Sequence, residues 1–549
     1  MVLAAALVTK GFWAGPAGRA LALNANDQAL DEWFLAYATR AYRGDFGLVT
    51  AALNAPEGIN VLGNASLVGL GVLLAPLTLA FGAPVTFAVA IALNLAANGA
   101  GWYLLFARGA RLHRLAALIG GAFCGFAPGM VSQSNGHLHM TAAWLVPPIA
   151  WCVFHLAERT RNGLLLGLLI AGQFFLGEEV LLLAAVALTL FCLAYAATTR
   201  PVPRHALPGL ARGLAVAGAV AGALLAYPIW TQFRGPQSAH GGVFQPEFYS
   251  ADLRSFAAIS PLSLAGGDGA ARLASGPAEY TAFFGAPLLI VVLGATLWLW
   301  RRPAVVACTV VSLVLCALAL GPRIVAGHER TDQWAPYSLL SGLPVLEWAL
   351  PTRFALAAAP LLAFVLASVV HTALTQTETL KLLVPVAVTA ALVPLAPMPL
   401  PTVERAPVPR FFTEGYWRGF APRDGTIVPV PLPDWRDPQA MRWAAATDVA
   451  FATPQGWFIG PYGDGGNSAV GVFPRPTSQL LHRTVANDSA PILTDRDRVD
   501  LRRDIAFWHA SCFVLADGQK GAGALKSTLD ALLGPGERVA DVWVWRARN

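Results

Sequence analysis

Three carboxylates fall within the stretch Asn24-Ala-Asn-Asp27-Gln-Ala-Leu-Asp31-Glu32-Trp33. At helical spacing Asp27 and Asp31 (i, i+4) share a face. There, like charge raises the pKa of one of them, which suits a general base or a cation site. The competing role is structural: Asp27 caps a helix running through Trp33, Phe34 and Tyr37, for which one carboxylate suffices. Glu32 points to another face. A second polar stretch, Ser132-Gln-Ser-Asn135-Gly136-His137-Leu-His139, brings two imidazoles that share a face only in extended chain. Neutral imidazole can donate to a phosphate oxygen or ligate a metal, and the plainer role is a bond to backbone. Gln173, Gly177, Glu178 and Glu179 stand between two apolar runs, where adjacent acids require a wet cavity or a cation. In Leu350-Pro351-Thr352-Arg353-Phe354 a lone arginine opens a late helix. Its guanidinium fork matches phosphate, unless it merely snorkels. Asp27 and Asp31 are thus the catalytic candidates. Asn135, His137, His139, Gln173, Glu178, Glu179 and Arg353 are candidates for binding substrate. First-loop carboxylates could also hold a divalent cation such as Mg or Mn.

These residues must be positioned by apolar elements. Of 549 residues 56% are hydrophobic and 13% charged, about half the charge of an ordinary soluble chain at roughly 25%. Of the 70 charged residues 37 lie in positions 1–400 and 33 in the remaining 149. Residues 1–400 therefore read as a membrane domain and 401–549 as a water-exposed one. The tail holds 17 basic and 16 acidic residues, and no basic patch interleaved with aromatics suggests nucleic acid. Six scattered cysteines form no CxxC and imply neither disulfides nor zinc.

Helical spans, each needing about 20 apolar residues, are expected near 84–107, 115–131, 141–157, 164–177, 180–197, 209–230, 279–300, 304–321, 355–374 and 382–399. The gaps between them hold Arg108, Arg111, Arg114, Arg159, Arg161, Arg200, Arg204, Arg301, Arg302 and Lys381. One assignment puts all of these on the cytoplasmic side. It places residues 24–66, 132–140, 231–278 and 322–354 and the tail outside. Leu67 to Phe81, with Pro76, fits a re-entrant or interfacial segment better than a span, which would invert that pattern. Residues 1–23 read either as a first span that starts late or as one strained span. The loop from Thr231 to Ala278, with Arg234, His240, Asp252 and Arg254, could act as a lid. The tail reads as a small α/β unit: a strand Thr426–Val430, an apolar Phe513–Ala516, a helix around Ala524–Leu533 and a final strand Val539–Trp545. It carries no catalytic signature and fits a lid or acceptor-docking role.

Asp27 followed by Trp33-Phe-Leu-Ala, then Ala55-Pro-Glu-Gly58-Ile-Asn60 and Leu74-Ala-Pro76, resembles the first-loop pattern of the YfhO-like bacterial polytopic proteins of the GT-C glycosyltransferase superfamily. Gly136-His137-Leu138 with Trp144-Leu-Val-Pro147, and Pro351-Thr-Arg353-Phe354, are similar to two more of that group's patterns. The acidic pair that the group carries stands here at Asp31-Glu32. The resemblance implies an all-α polytopic membrane fold of about 10–11 transmembrane helices, with the small α/β domain outside the bacterial cytoplasmic (inner) membrane. It implies inverting transfer of a sugar from a polyprenyl-phosphate donor to an envelope glycan or lipid, with Asp27 as the essential carboxylate and Asp31 second. Arg353 and His137 would then stabilise the departing phosphate. The alternative is a transporter or flippase of lipid-linked saccharides, in which Glu178 and Glu179 would relay protons or ions; no internal repeat of the kind common in transporters is evident.

Overall fold

The computed structural model describes residues 1–64, 67–199, 206–343, 345–346 and 349–547; Arg200 and Arg204 of the expected cytoplasmic set lie outside these. Before residue 400 the helices are α1 (Val2–Val8), α2 (Ala25–Ala38), α3 (Val68–Phe81), α4 (Ala83–Leu104), α5 (Arg114–Phe126), α6 (Pro128–Gln133), α7 (Leu138–Thr141), α8 (Val146–Phe154), α9 (Thr160–Leu176), α10 (Glu178–Thr198), α11 (Leu207–Arg234), α12 (Ala286–Trp298), α13 (Pro303–Ala319), α14 (Phe354–Ala373) and α15 (Glu378–Leu392). Each of the ten apolar runs holds a helix. Among the described residues six stretches are long and apolar enough to cross a membrane: Ala83–Gly109, Arg114–Gln133, Glu178–Thr198, Leu207–Arg234, Pro351–Ala373 and Glu378–Leu395. Five more are apolar but shorter, among them Leu138–Phe154 and Ala286–Trp298. The run expected to span 279–300 is cut back because Gly285 takes a left-handed φ of 76° and Pro287 sits in the first turn. Proline there starts a helix and cannot extend one backwards. Residues 279–285 are thereby left to the loop that carries Glu279.

Close packing follows from small residues. A Cβ placed on Gly125 of α5 would lie 2.8 Å from the Cα of Gly99 on α4, so only glycine lets these backbones approach as they do. Helix α14 is buried around most of its circumference and packs on α5 and α13, as an all-round apolar helix must. At the end of the bundle where arginines gather, the His113 N–H donates to His371 Nδ1 at 3.0 Å.

The amino-terminal residues correct one expectation. A single strained helix over 1–23 does not form: α1 stops at Val8, two short 3-10 turns follow, and β1 (Arg19–Leu21) is a strand. Two short antiparallel pairs follow in the loops, β2 (Val49–Thr50) with β3 (Ile59–Asn60) and β4 (Arg323–Ala326) with β5 (Glu329–Trp334). Strand β1 pairs antiparallel with β6 (Thr402–Glu404), so the first residues meet the start of the tail. Residues 68–81, expected as a re-entrant or interfacial segment, form a 14-residue helix that turns back at Gly82 onto α4.

The tail continues with β7 (Thr426–Pro429), a hairpin of β8 (Ile459–Tyr462) and β9 (Asn467–Val470), then β10 (Ala510–Ala516), β11 (Glu537–Val539) and β12 (Val542–Arg546). Its helices are α16 (Arg410–Thr413), α17 (Met441–Ala445), α18 (Pro476–Asn487), α19 (Asp495–Trp508) and α20 (Ala522–Leu533). The sheet order is β11-β12-β10-β7, with β10 antiparallel to β12 and parallel to β7. The single closing strand expected over 539–545 is instead a hairpin, β11–β12, with a two-residue turn in which Ala540 adopts a positive φ of 51°. Side chains alternate across a strand, and the tail exploits both faces. Phe513 and Leu515 face a core with Leu481, Ile505 and Leu529 of the tail helices. Cys512, Val514 and Ala516 join the large core that includes Trp33 of α2 and the bundle.

Candidate active site

The site begins at the first turn of α2. Asn24 is the cap, its side chain accepting the Asp27 N–H, so the competing role of Asp27 as the cap is not the one it takes. The Asp27 carboxylate is thus released to face neighbouring elements. Asn24 Nδ2 donates to Asp27 Oδ2 at 2.6 Å and to the Asn135 carbonyl at 2.8 Å. Trp457 Nε1, from the tail, donates to Asp27 Oδ1 at 2.7 Å. His137 Nε2 lies 3.4 Å from Asp27 Oδ2. Burial alone would raise the pKa of Asp27, but the hydrogen bond and charge of His137, with the donors of Asn24 and Trp457, outweigh it and hold the carboxyl below its ordinary range.

One turn further on, Asp31 behaves in the opposite way. Only 3% of it is exposed. Burial, reinforced by the charges of Asp27 and Glu32, pushes it well above the usual carboxylate range despite a bond from the Leu138 N–H. Its Oδ2 has no protein partner. The pKa values of two carboxylates on one helix face are therefore driven apart, Asp27 below its ordinary range and Asp31 above it, the pattern that separates base from acid.

Gly136 brings the imidazoles against this helix. It adopts φ 87°, and a Cβ there would sit 2.7 Å from the Asp27 Cβ. His137 Nδ1 is 2.7 Å from Gln133 Oε1 and 3.9 Å from Glu279 Oε1. The His139 ring lies 5.6 Å from that of His137, is buried, and leaves Nδ1 without a partner.

Arg353 is neither a snorkelling side chain nor a free phosphate clamp. It is buried, ion-paired with Glu179, and donates from Nη2 to Glu279 Oε1 at 2.7 Å and from Nε at 3.2 Å. A guanidinium removed from water needs such opposite charge. With two carboxylates on one cation, it has little field left for a third anion. In this structure the guanidinium holds Glu179 and Glu279 in place.

Asp27, Asp31, Asn135, His137, His139, Glu179 and Arg353 are thus brought together. Glu178 turns away to accept from Gln232 Nε2 at 2.7 Å. Gln173 donates to the carbonyls of Ala142 and Gly177, tying the α9–α10 turn to the end of α7 without touching the acids. Sequence reasoning missed Asn24, Trp457 and Glu279. Glu279 had a signal, as the acid at the head of the run expected over 279–300; Trp457 had none. The loop expected as a lid is anchored here: the Tyr249 carbonyl accepts the Thr352 N–H at 3.0 Å. Burial, then the charge of Glu279, raises the Tyr249 phenol.

Besides Asp31 Oδ2 and His139 Nδ1, the atoms Gln133 Nε2, Asn135 Oδ1 and Glu179 Oε1 are buried without protein partners. Such groups call for water or ligand. A divalent cation does not fit the donors present. Both Asp27 oxygens already accept hydrogen bonds, and among the described residues no three His, Cys, Asp or Glu groups converge as ligands. Beside the polar cluster lies an apolar cavity of about 740 Å³. Its lining includes Met140, Val180 and Leu356, close chain neighbours of His139, Glu179 and Arg353, and continues past Trp102 and Phe106 to Tyr195.

This arrangement of helices has a solved counterpart. The arabinofuranosyltransferase AftD from Mycobacteria superposes over 99% of the chain with a TM-score of 0.55 at 15% identity. The likeness is one of fold. The chain spans about two fifths of AftD, 39% of its length. The oligosaccharyltransferase of Archaeoglobus fulgidus is similar at 12% identity over 82% of this chain and 64% of its own, with a TM-score of 0.47. The archaeal oligosaccharyltransferase AglB from that organism, in complex with an inhibitory peptide and a dolichol-phosphate, gives 0.46 at 10% identity over 94% and 69%. No protein-family model matches the sequence, and no curated protein does.

Proposed function

We propose that the protein transfers a sugar from a polyprenyl-phosphate donor to an envelope glycan or lipid on the outer side of a bacterial cytoplasmic membrane, as an inverting enzyme of the YfhO-like kind. The observation that carries this reading is the pair of carboxylates on one face of α2, Asp27 held by Asn24, Trp457 and His137 and Asp31 buried with one oxygen unpartnered, set beside an apolar cavity of about 740 Å³. A polar head and a prenyl tail require that juxtaposition. In the reaction the acceptor oxygen attacks the anomeric carbon, Asp27 takes the hydroxyl proton, and the bond from that carbon to the phosphate oxygen breaks as lipid phosphate leaves. Asp31, its pKa raised and one oxygen unpartnered, bonds the donor or the leaving oxygen, while Glu179 and His139 offer acceptors and donors to sugar hydroxyls. Residues 1–400 then form the membrane domain, and 401–549 an extracytoplasmic domain on the acceptor side.

Incubating the purified protein with labelled polyprenyl-phosphate sugar and following release of lipid phosphate tests the reading. Asp27→Asn is expected to lower turnover on the order of 10³-fold, as loss of a general base does, with cooperative unfolding retained at a midpoint somewhat lower near neutral pH, where the depressed Asp27 pKa stabilises the wild type. Near-normal turnover in that variant removes Asp27 as the base. Movement of the donor across vesicles without cleavage marks a flippase instead.

A further inference from the structure

We infer that Trp457, supplied by the tail, is a positioning residue for the Asp27 carboxylate, so that the site is incomplete without the tail. This rests on the reading of Asp27 as the base. The segment that carries the indole is held at several points. Its own backbone N–H approaches Met441 Sδ at 3.2 Å. Two residues later Ile459 exchanges bonds with the Asn64 side chain, its N–H donating to Oδ1 at 2.5 Å and its carbonyl accepting from Nδ2 at 2.8 Å. Upstream, the Thr453 N–H donates to the Ala52 carbonyl at 3.1 Å and the Thr453 carbonyl accepts from the Ala55 N–H at 2.9 Å. At Gly456 a Cβ would meet Leu53 Cδ1 at 2.6 Å, so the segment lies flush against the first loop. Nε1 can therefore reach Asp27 Oδ1 along one fixed direction.

The donor does two things. It orients the carboxylate, leaving Oδ2 toward Asn24 and His137. It also favours the charged form, as any hydrogen bond donated to a carboxylate does. The titratable groups facing Asp27 are Asp31 on its own helix, His137 on the adjoining turn and Tyr249 of the long loop, with Glu279 beyond His137. Among these contacts Trp457 is the one made by the tail.

Trp457→Phe keeps the ring and removes the N–H. Its turnover is expected to fall about tenfold with little change in donor KM, and the acidic limb of the kcat–pH profile is expected to move up by about one unit. Trp457→Gln, which retains an N–H donor, is expected to return the limb toward its wild-type position. A readout independent of turnover accompanies these. The depressed Asp27 pKa adds stability that is present above its unfolded value and lost as pH falls through the folded one. The unfolding midpoint of Trp457→Phe should therefore drop below wild type near neutrality, and the gap should narrow as the solution is acidified. A Phe variant with the wild-type limb and the wild-type midpoint at every pH overturns the inference. If Asp27→Asn turns over normally, the base assignment fails instead; if Asp27→Asn is dead and Trp457→Phe behaves as wild type, only the role of Trp457 fails.

Discussion

Asp27 and Asp31 are the same amino acid one helical turn apart, yet their surroundings shift their pKa values in opposite directions. Asp27 meets three donors and Asp31 meets burial and two negative neighbours. The consequence for stability can be measured. Because the folded state raises the pKa of Asp31, its contribution is complete below the unfolded value of about 3.9 and is lost as pH rises through the folded value. Asp31→Asn carries no such dependence. Its unfolding midpoint should match wild type in acid and exceed it at about pH 8, a difference that differential scanning fluorimetry in detergent would register; a midpoint below wild type at about pH 8 contradicts the assignment. Spacing alone placed these two acids together, since i, i+4 is a local relation. It could not say which would ionise, because the deciding groups, His137, Trp457 and Asn135 beyond Asn24, come from other parts of the chain.

Helix α2 is the element on which the two parts of the protein meet. Along its length and just past its end, Asn26 Nδ2 donates to the Trp435 and Arg436 carbonyls, Glu32 pairs with Arg405 at 2.7 Å and lies 3.9 Å from Arg442, Arg40 pairs with Asp424 and Arg43 with Asp448. Glu32 and both of its arginines are buried. Burial, then the neighbouring charge of Arg405, lowers the Arg442 pKa to about 10, while Glu32 opposes the fall. Glu32→Gln strands two guanidinium groups in the interior and should cost about 3–5 kcal/mol, seen as a lowered unfolding midpoint and faster proteolysis of the tail. A change within about 0.5 kcal/mol would mean that water replaces the carboxylate. Apolar elements were legible because their signal is local: ten runs, ten helices. Helices α18 and α19 were not read, although α19 carries a reciprocal capping box between Thr494 and Asp497. That signature was open to inspection, whereas the partners of Glu32 were not, being 373 residues away for Arg405.

At the scale of the molecule, a polar cluster at one end of the bundle adjoins an apolar space that runs between helices toward the other. On the proposed function that space takes the prenyl chain. Ala359→Trp and Ala187→Phe, both in its lining, should raise KM for long-chain donors by about tenfold or more while sparing a donor with a short chain, because each lost methylene contact is worth about 0.8 kcal/mol. Equal effects on both donors would place the chain elsewhere. The arrangement also dictates an order of events during synthesis. The residues that embrace α2 stand 373 to 430 positions downstream of it, and a ribosome adding about 5–20 residues per second needs roughly 20 to 90 s to reach them. Through that interval the helix lacks the contacts that the tail makes with it. A nascent chain arrested short of residue 457 would thus carry most of its bundle with an unfinished reaction centre.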